Sequence, residues 1–275
     1  EVTVGLAGFA LGGTVGVVEA SNHAGLAVGD TVVGLLGWQE VGVVHGRQLM
    51  KVDTRAVPMS AYLGPVGMPG VTAWYGLNRI CEPKPGETVL VSAASGAVGS
   101  VVGQLAKQAG CRAIGIAGGP DKCEYVVSEL GFDACLDHRQ HTDAKSMGRA
   151  LREVAPQGVD GLFENVGGVC LDAALACMNP FGRIALCGLI AGYGGQDIAI
   201  HNVRMLLVMR LKAQGFIVSE HMDAWPQALA ELGQGVATGR IKYRESIADG
   251  LAAAPEAFIG LLAGRNFGKQ LVKLA

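Results

Sequence analysis

The sequence predicts an α/β protein in which a doubly wound parallel sheet is inserted into a β-rich domain. Three observations carry this. From residue 87 onward, short apolar runs alternate with helical stretches. The first run, Thr88-Val89-Leu90-Val91-Ser92, enters a turn, Ala93-Ala94-Ser95-Gly96-Ala97-Val98-Gly99, that opens an apolar helix. The flanking stretches lack that rhythm, the first being rich in Val and Gly with short strand-like runs. The expected division is a β-rich domain over 1–77 and 221–275, with a dinucleotide-binding domain over 78–220.

In chain order, 1–10 reads as a strand, as do 14–20 and 31–36, the last entered through the turn Gly29-Asp30. Met68-Pro69-Gly70 is a turn signal, and the apolar 71–80 stretch after it reads as a helix leading into the sheet. Strand Thr88–Ser92 is followed by a helix to 109. Strand Arg112–Ala117 is followed by a helix over 120–130, closed by Gly131. A strand at 134–136 precedes a helix at 142–154, and a strand at 161–165 precedes a helix at 169–177. Strands at 183–187 and 212–218 bring the number to six. Apolar strands joined by helices mean a parallel sheet covered on both faces. Beyond it, 223–238 reads as a helix stopped by Gly239, and the segment 244–247, a helix around 255–262 and the segment 270–274 complete the chain.

Half of the 275 residues are apolar and 17% are charged, enough apolar material for a sizeable core. A formal net charge of −2 argues against nucleic acid or an anionic membrane as the main partner. No uninterrupted apolar run is long enough to span a membrane, and the first residues read as a strand, not a signal peptide. Cys81, Cys111, Cys123, Cys135, Cys170, Cys177 and Cys187 contain no CxxC pair and lie mostly in apolar segments. Buried, reduced thiols in a cytoplasmic protein are expected. Clustered Cys and His ligands are absent, so no metal site is expected.

The strand–turn–helix at 88–109 places a helix N-terminus at a sheet edge, where unpaired N–H groups and the helix dipole hold a pyrophosphate. Gly96 lets the backbone approach the phosphates, and Gly99 removes a side chain between helix and strand. The first glycine of the usual fingerprint is Ala93. A tight structural turn is the competing reading, and the second strand following the helix favours the dinucleotide. That second strand ends Ile116-Ala117-Gly118-Gly119 without the carboxylate that binds a ribose 2′-hydroxyl. Lys122 follows within one turn, which favours a 2′-phosphate and hence NADP(H). On spacing alone, a solvated first-turn lysine stands beside that reading. Asp121 argues against a phosphate unless it caps the helix and points away.

Several ordered segments carry a resemblance. They are Val66-Gly67-Met68-Pro69-Gly70-Val71-Thr72-Ala73-Trp74-Tyr75-Gly76-Leu77 and Ser92-Ala93-Ala94-Ser95-Gly96-Ala97-Val98-Gly99-Ser100-Val101-Val102-Gly103-Gln104. With them go Phe163-Glu164-Asn165-Val166-Gly167-Gly168, Cys187-Gly188 with Tyr193, and Gly264-Arg265-Asn266-Phe267-Gly268-Lys269. Together they are similar to the zinc-independent medium-chain dehydrogenase/reductase family, in its branch of alkenal/enone double-bond reductases. The resemblance runs from about Gly12 to the C-terminus and is strongest from Gly64 onward.

The resemblance implies a Rossmann nucleotide domain inserted in a GroES-like catalytic domain, with NADPH as cofactor. NADPH would lie along Ala93, Gly96, Ala97, Val98, Gly99 and Gly118, with Lys122 on its 2′-phosphate. His138 stands where the family often has a tyrosine. It is either a second phosphate neighbour, helped by Arg139, or a solvated loop histidine. Asn165 and Cys187 would flank the nicotinamide side, and Asn266 the cofactor phosphates. Tyr193 would be the partner of the substrate carbonyl. Met68 and Thr72 would flank the nicotinamide, Met68 being equally a packing residue. The implied activity is hydride transfer to the β-carbon of an α,β-unsaturated ketone or aldehyde. The alternatives are an NADPH-dependent quinone oxidoreductase and a non-catalytic NADPH-binding protein. The family also implies a homodimer paired through the sixth strand, 212–218.

Two departures stand out. Zinc-dependent relatives carry Gly-His-Glu where this chain has Leu11-Gly12-Gly13-Thr14-Val15-Gly16, so zinc catalysis is not expected. The front is also shorter than the family's usual first domain, which has a further segment between the 1–10 strand and Gly12-Gly13.

Overall fold

The structure is a computed structural model that describes residues 2–8 and 12–274. The chain opens with strands β1 (Val2–Gly8), β2 (Gly13–Ser21), β3 (Thr31–Leu35), β4 (Val41–Val44) and β5 (Met50–Lys51). Helix α1 (Met68–Tyr75) leads to β6 (Thr88–Ser92), α2 (Gly99–Gln108), β7 (Arg112–Ala117), α3 (Pro120–Ser128) and β8 (Ala134–Asp137). Next come α4 (Ala144–Val154), β9 (Val159–Glu164), α5 (Gly168–Leu175), β10 (Met178–Leu186), α6 (Arg204–Val208) and β11 (Lys212–Gly215). Helix α7 (Trp225–Ala237), β12 (Glu245–Asp249), α8 (Ala254–Leu262) and β13 (Lys269–Lys273) close the chain. Of the expected first strand, positions 1, 9 and 10 lie outside the described residues, as does Leu11.

The chain divides into two compact units, one of 1–69, 229–240 and 244–275, the other of 70–228 and 241–243. In the first, β4-β1-β2-β3-β5 form an antiparallel sheet, and β12 and β13 a parallel pair. Val15 with Leu63 and Leu271, and Val18 with Leu26, Val32 and Leu36, make its small apolar clusters.

In the second unit the strand order is β11-β10-β9-β6-β7-β8, every neighbour parallel. The chain winds outward from β6 to β8 on one side and from β9 to β11 on the other. The reversal between β6 and β9 is a topological switch point, where ligands bind at the carboxyl ends of the strands. All five residues of β6 are buried, as a central strand covered on both faces requires. Leu90, Ile114, Leu162 and Ile184 from four adjacent strands pack against Met147 and Leu151 of α4 and Leu171 and Leu175 of α5. Each such fully buried side chain contributes about 1.5–3 kcal/mol.

Two expectations need correction. Met68-Pro69-Gly70 is not a turn but the first turn of α1, where Pro costs no hydrogen bond. The helix also continues as a π-helical segment, Gly76–Cys81. The sixth strand stops at Gly215, not 218, because its partner β10 ends at Leu186, which pairs with Gly215. The chain passes between the compact units at 69/70, 228/229, 240/241 and 243/244, beside the expected domain limits at 77/78 and 220/221. Gly76 explains the first crossing. A Cβ there would lie 2.5 Å from the Phe163 ring of β9 and 2.8 Å from the ring of Phe216, just past β11, so the segment is seated on aromatic side chains of the parallel-sheet unit. The second follows from His221, which stacks on Tyr75 at 4.2 Å, and from Trp225, whose Nε1 donates to the Val218 carbonyl at 3.1 Å.

Candidate cofactor and active site

The turn after β6 is built from backbone. Ala93 adopts φ +49°, a left-handed conformation that costs a non-glycine residue about 1–2 kcal/mol. Its carbonyl accepts from Gly96 N–H at 2.9 Å, and Gly96 accepts from Ser100 N–H at 3.0 Å. Among the described residues no hydrogen bond uses the N–H of Ala97, Val98 or Gly99. These donors sit at the start of α2, where an anion is favoured. A Cβ on Gly99 would lie 2.4 Å from the Ala93 oxygen, and one on Gly96 would lie 3.1 Å from it. Gly99 therefore serves the closure of the turn itself. The close approach of helix and strand is made by Gly115, whose Cβ would meet Ala94 at 2.9 Å and Val126 at 3.0 Å.

A second cluster forms where β7 and β8 end. Asp137 Oδ1 accepts from Gly119 N–H at 2.8 Å and Arg139 N–H at 3.0 Å, fixing the two loops together. His138 Nε2 lies 2.8 Å from where a Gly118 Cβ would stand, and the Arg139 guanidinium 3.1 Å from a Gly119 Cβ. A side chain at Gly118 would displace His138, and Gly119 also takes φ +98°, which favours glycine. Desolvation lowers the Lys122 pKa, and the Arg139 charge adds to it. Desolvation likewise lowers the His138 pKa; Asp137 opposes this, while Arg139 and Lys122 reinforce it. Lys122 and Arg139 thus repel one another and hold His138 toward its neutral form, and a phosphate placed among the three relieves that repulsion. Asp121, in the first turn of α3, sits where a carboxylate complements the helix dipole.

At the switch point, Glu164 ends β9 fully buried. Its Oε1 accepts from Ser92 Oγ at 2.7 Å and Gly167 N–H at 2.8 Å. Asn165 donates its N–H to Ser92 Oγ and its side-chain amide to the Ser92 carbonyl, each at 2.7 Å. The Glu164 carbonyl accepts from Cys187 N–H at 2.9 Å and Gly188 N–H at 3.1 Å, starting the loop that carries Tyr193. Burial pushes the Cys187 thiol up to about 12, which leaves it no nucleophilic role. The loop's far end is clamped by buried Asp172, whose Oδ1 accepts from His201 N–H at 2.8 Å and Asn202 N–H at 2.6 Å. Tyr193, between these anchors, is 68% exposed.

The parallel-sheet unit thus brings Ala93, Gly96, Ala97, Val98, Gly99, Asn165 and Cys187 to the switch point, and Gly118, Lys122 and His138 to the neighbouring strand ends. Thr72 is buried in α1. Met68 and Asn266 belong to the other unit, Met68 exposed and Asn266 donating its side-chain amide to the Gly268 carbonyl at 2.8 Å. Ser92, Glu164 and Asp172 were not singled out as site residues from the sequence. The available signal was a carboxylate ending an otherwise apolar, fully buried run. The free turn amides, the glycine cradle and the cation cluster fit a dinucleotide with a 2′-phosphate. Among the described residues, no group of three or more His, Cys, Asp or Glu side chains is placed to hold a metal ion.

Known proteins carry the same pattern. Residues 97–234 match the family model described as zinc-binding dehydrogenase, and residues 3–52 the one described as the N-terminal domain of oxidoreductase. The NADPH-dependent curcumin reductase of Escherichia coli (strain K12) is 42% identical over 279 residues, spanning 99% of this chain and 80% of that protein. The 2-alkenal reductase (NADP(+)-dependent) of Nicotiana tabacum is 43% identical over 249 residues, 90% of this chain and 72% of that one. The crystal structure of CurA in complex with NADPH from Vibrio vulnificus matches with a TM-score of 0.88 and 44% identity, over 96% of this chain and 79% of that one. Identity of this order along nearly the whole chain, with the strand order and glycine turn described above, places the protein in the NADPH-dependent enone-reductase branch of the medium-chain dehydrogenase/reductase family.

Proposed function

We propose that the chain reduces the carbon–carbon double bond of α,β-unsaturated ketones or aldehydes, with Lys122, His138 and Arg139 holding the cofactor's 2′-phosphate and Tyr193 serving the substrate carbonyl. The observation that carries this is the cation cluster over Gly118 and Gly119, in a chain whose relatives include an NADPH-dependent curcumin reductase and a 2-alkenal reductase. Bound NADPH supplies a hydride. The amides of Ala97, Val98 and Gly99 hold the pyrophosphate, and Asn165 orients the nicotinamide ribose. As hydride reaches the β-carbon, negative charge grows on the carbonyl oxygen. Tyr193 donates its O–H to that oxygen, a contribution of about 3 kcal/mol for a well-placed donor. The α-carbon takes its proton from water, so no strong protein base is needed. Thr72, buried in α1, completes the reading as a contact of the nicotinamide.

A homodimer through β11 fits its position at the end of the sheet and the exposed Leu207 and Val208 just before it. A cytoplasmic location fits the seven free thiols. The test of the reaction is isotopic. With NADPH deuterated at C4 and a simple enone, the saturated ketone should carry deuterium at its β-carbon. Deuterium at the carbonyl carbon, in an allylic alcohol, would refute the reading.

A further inference from the structure

Glu164 contributes no contact to cofactor or substrate in the reading above, yet it is the most completely buried carboxylate in the sheet. Its Oε1 gathers three donors: Ser92 Oγ at 2.7 Å, Val166 N–H at 2.5 Å and Gly167 N–H at 2.8 Å. Ser92 in turn receives both the backbone and side-chain amides of Asn165. These bonds form a closed knot joining the ends of β6 and β9, the two strands that flank the switch point.

We propose that Glu164 is a positioning residue for the nicotinamide half of the cofactor site, acting as a neutral acid that sets Asn165 and the Val166-Gly167 turn against Ser92. The proposal rests on the reading that Asn165 orients the nicotinamide ribose. The neutral form follows from the geometry. Among the described residues Oε2 is buried with no hydrogen-bond partner. An ionised group would leave a bare anionic oxygen in the core, which is far costlier than an unpaired hydroxyl. Burial raises the Glu164 pKa accordingly, against the pull of its donors. Cys170, which feels the same carboxyl, is pushed up to about 12, chiefly by burial, and stays a thiol. As an acid, Glu164 presents Oε1 as a carbonyl oxygen to all three donors. Glutamine reproduces that oxygen and places an amide where Oε2 stands. Alanine removes it and leaves the Ser92 hydroxyl and two amides without an acceptor.

The 2′-phosphate cluster is carried by other elements: Lys122 on α3, and His138 and Arg139 after β8. The two halves of the cofactor can therefore be read separately. Calorimetry with NADPH and with 2′,5′-ADP, which lacks the nicotinamide half, is run on wild type, Glu164→Gln, Glu164→Ala and Ser92→Ala. Glu164→Ala should bind NADPH about 10–100-fold more weakly, the scale of one to two lost buried hydrogen bonds, and 2′,5′-ADP unchanged. Its kcat should fall more than the enone KM rises. Glu164→Gln should restore NADPH affinity and the wild-type pH–rate profile. Ser92→Ala should show the same selective loss, which keeps the test open if Glu164→Ala does not fold. Equal losses in Glu164→Gln and Glu164→Ala would overturn the neutral positioning role. So would unchanged NADPH affinity in Glu164→Ala, or parallel losses of NADPH and 2′,5′-ADP. If 2′,5′-ADP does not bind wild type, the cofactor-site reading itself fails, and the proposal with it.

Discussion

Gly99→Ala tests whether the phosphate turn is closed by backbone contact. The added Cβ would stand 2.4 Å from the Ala93 oxygen, 2.9 Å from its carbonyl carbon and 3.0 Å from the Ala94 Cα, where ordinary contact begins at 3.4 Å. The shortfall at the oxygen is about 1 Å, and all three atoms are backbone, so no side chain can rotate away. Such overpacking costs about 3 kcal/mol, the upper part of its usual range. Alanine's better helix propensity returns at most about 1 kcal/mol. The net loss of about 2 kcal/mol lowers Tm by about 4–8 °C for a unit of this size. The shift also moves the free amides of Ala97 and Val98, so NADPH and NADH should both bind at least about tenfold more weakly. Gly96→Ala is the internal comparison, since its Cβ meets the same oxygen at 3.1 Å and needs a movement of only a few tenths of an ångström. Thermal melts and fluorescence titration with both cofactors read the outcome. A Gly99→Ala protein with wild-type Tm and wild-type affinity for both would refute the reasoning.

Lys122→Ala should weaken NADPH by about 1.5–3 kcal/mol, the scale of a charged hydrogen bond, and leave NADH unchanged; equal losses would remove Lys122 from the phosphate. His138 makes NADPH binding pH-dependent. Its pKa is held down in the free protein and a bound phosphate raises it, so binding takes up a proton. NADPH affinity should therefore weaken as pH rises through the phosphate-bound His138 pKa. His138→Phe should lose that dependence while keeping the phosphate's own ionisation near about pH 6. Titrations across pH 5–9 check both, and identical profiles for wild type and variant would place His138 outside the phosphate site. Tyr193→Phe should lower kcat more than it raises KM. Unchanged kcat in steady-state assays would reduce Tyr193 to a surface residue.

The alternation of apolar runs and helices made the parallel sheet legible because its central strands β6 and β7 are buried on both faces and so read as nearly unbroken apolar runs. Strands Thr88–Ser92 and Arg112–Ala117 fall where their apolar runs begin and end. Edge elements were harder to read. The 212–218 run ends in the apolar Phe216-Ile217-Val218, but strand pairing stops at Gly215, where the partner strand ends, a tertiary limit with no local signal. The turn was legible through Gly96 and Gly99. Ala93 at φ +49° was not, because alanine gives no hint of a left-handed conformation. Lys122 could be named from its proximity to Gly118 along the chain, whereas His138 and Arg139 were named through the family resemblance. Their convergence depends on β8 lying beside β7, which brings 138 and 139 over 118 and 119. Glu164 and Asp172 escaped because their partners, Ser92 and the 201–202 backbone, are distant in sequence.

The central claim is NADPH-dependent reduction of an activated double bond. The most direct measurement follows NADPH absorbance with a medium-chain enone, in parallel with NADH and with a quinone in place of the enone. The account predicts rapid NADPH consumption with the enone, a saturated ketone as product, and a much slower rate with NADH. Consumption with the quinone alone, or none with either acceptor despite measurable NADPH binding, would contradict it.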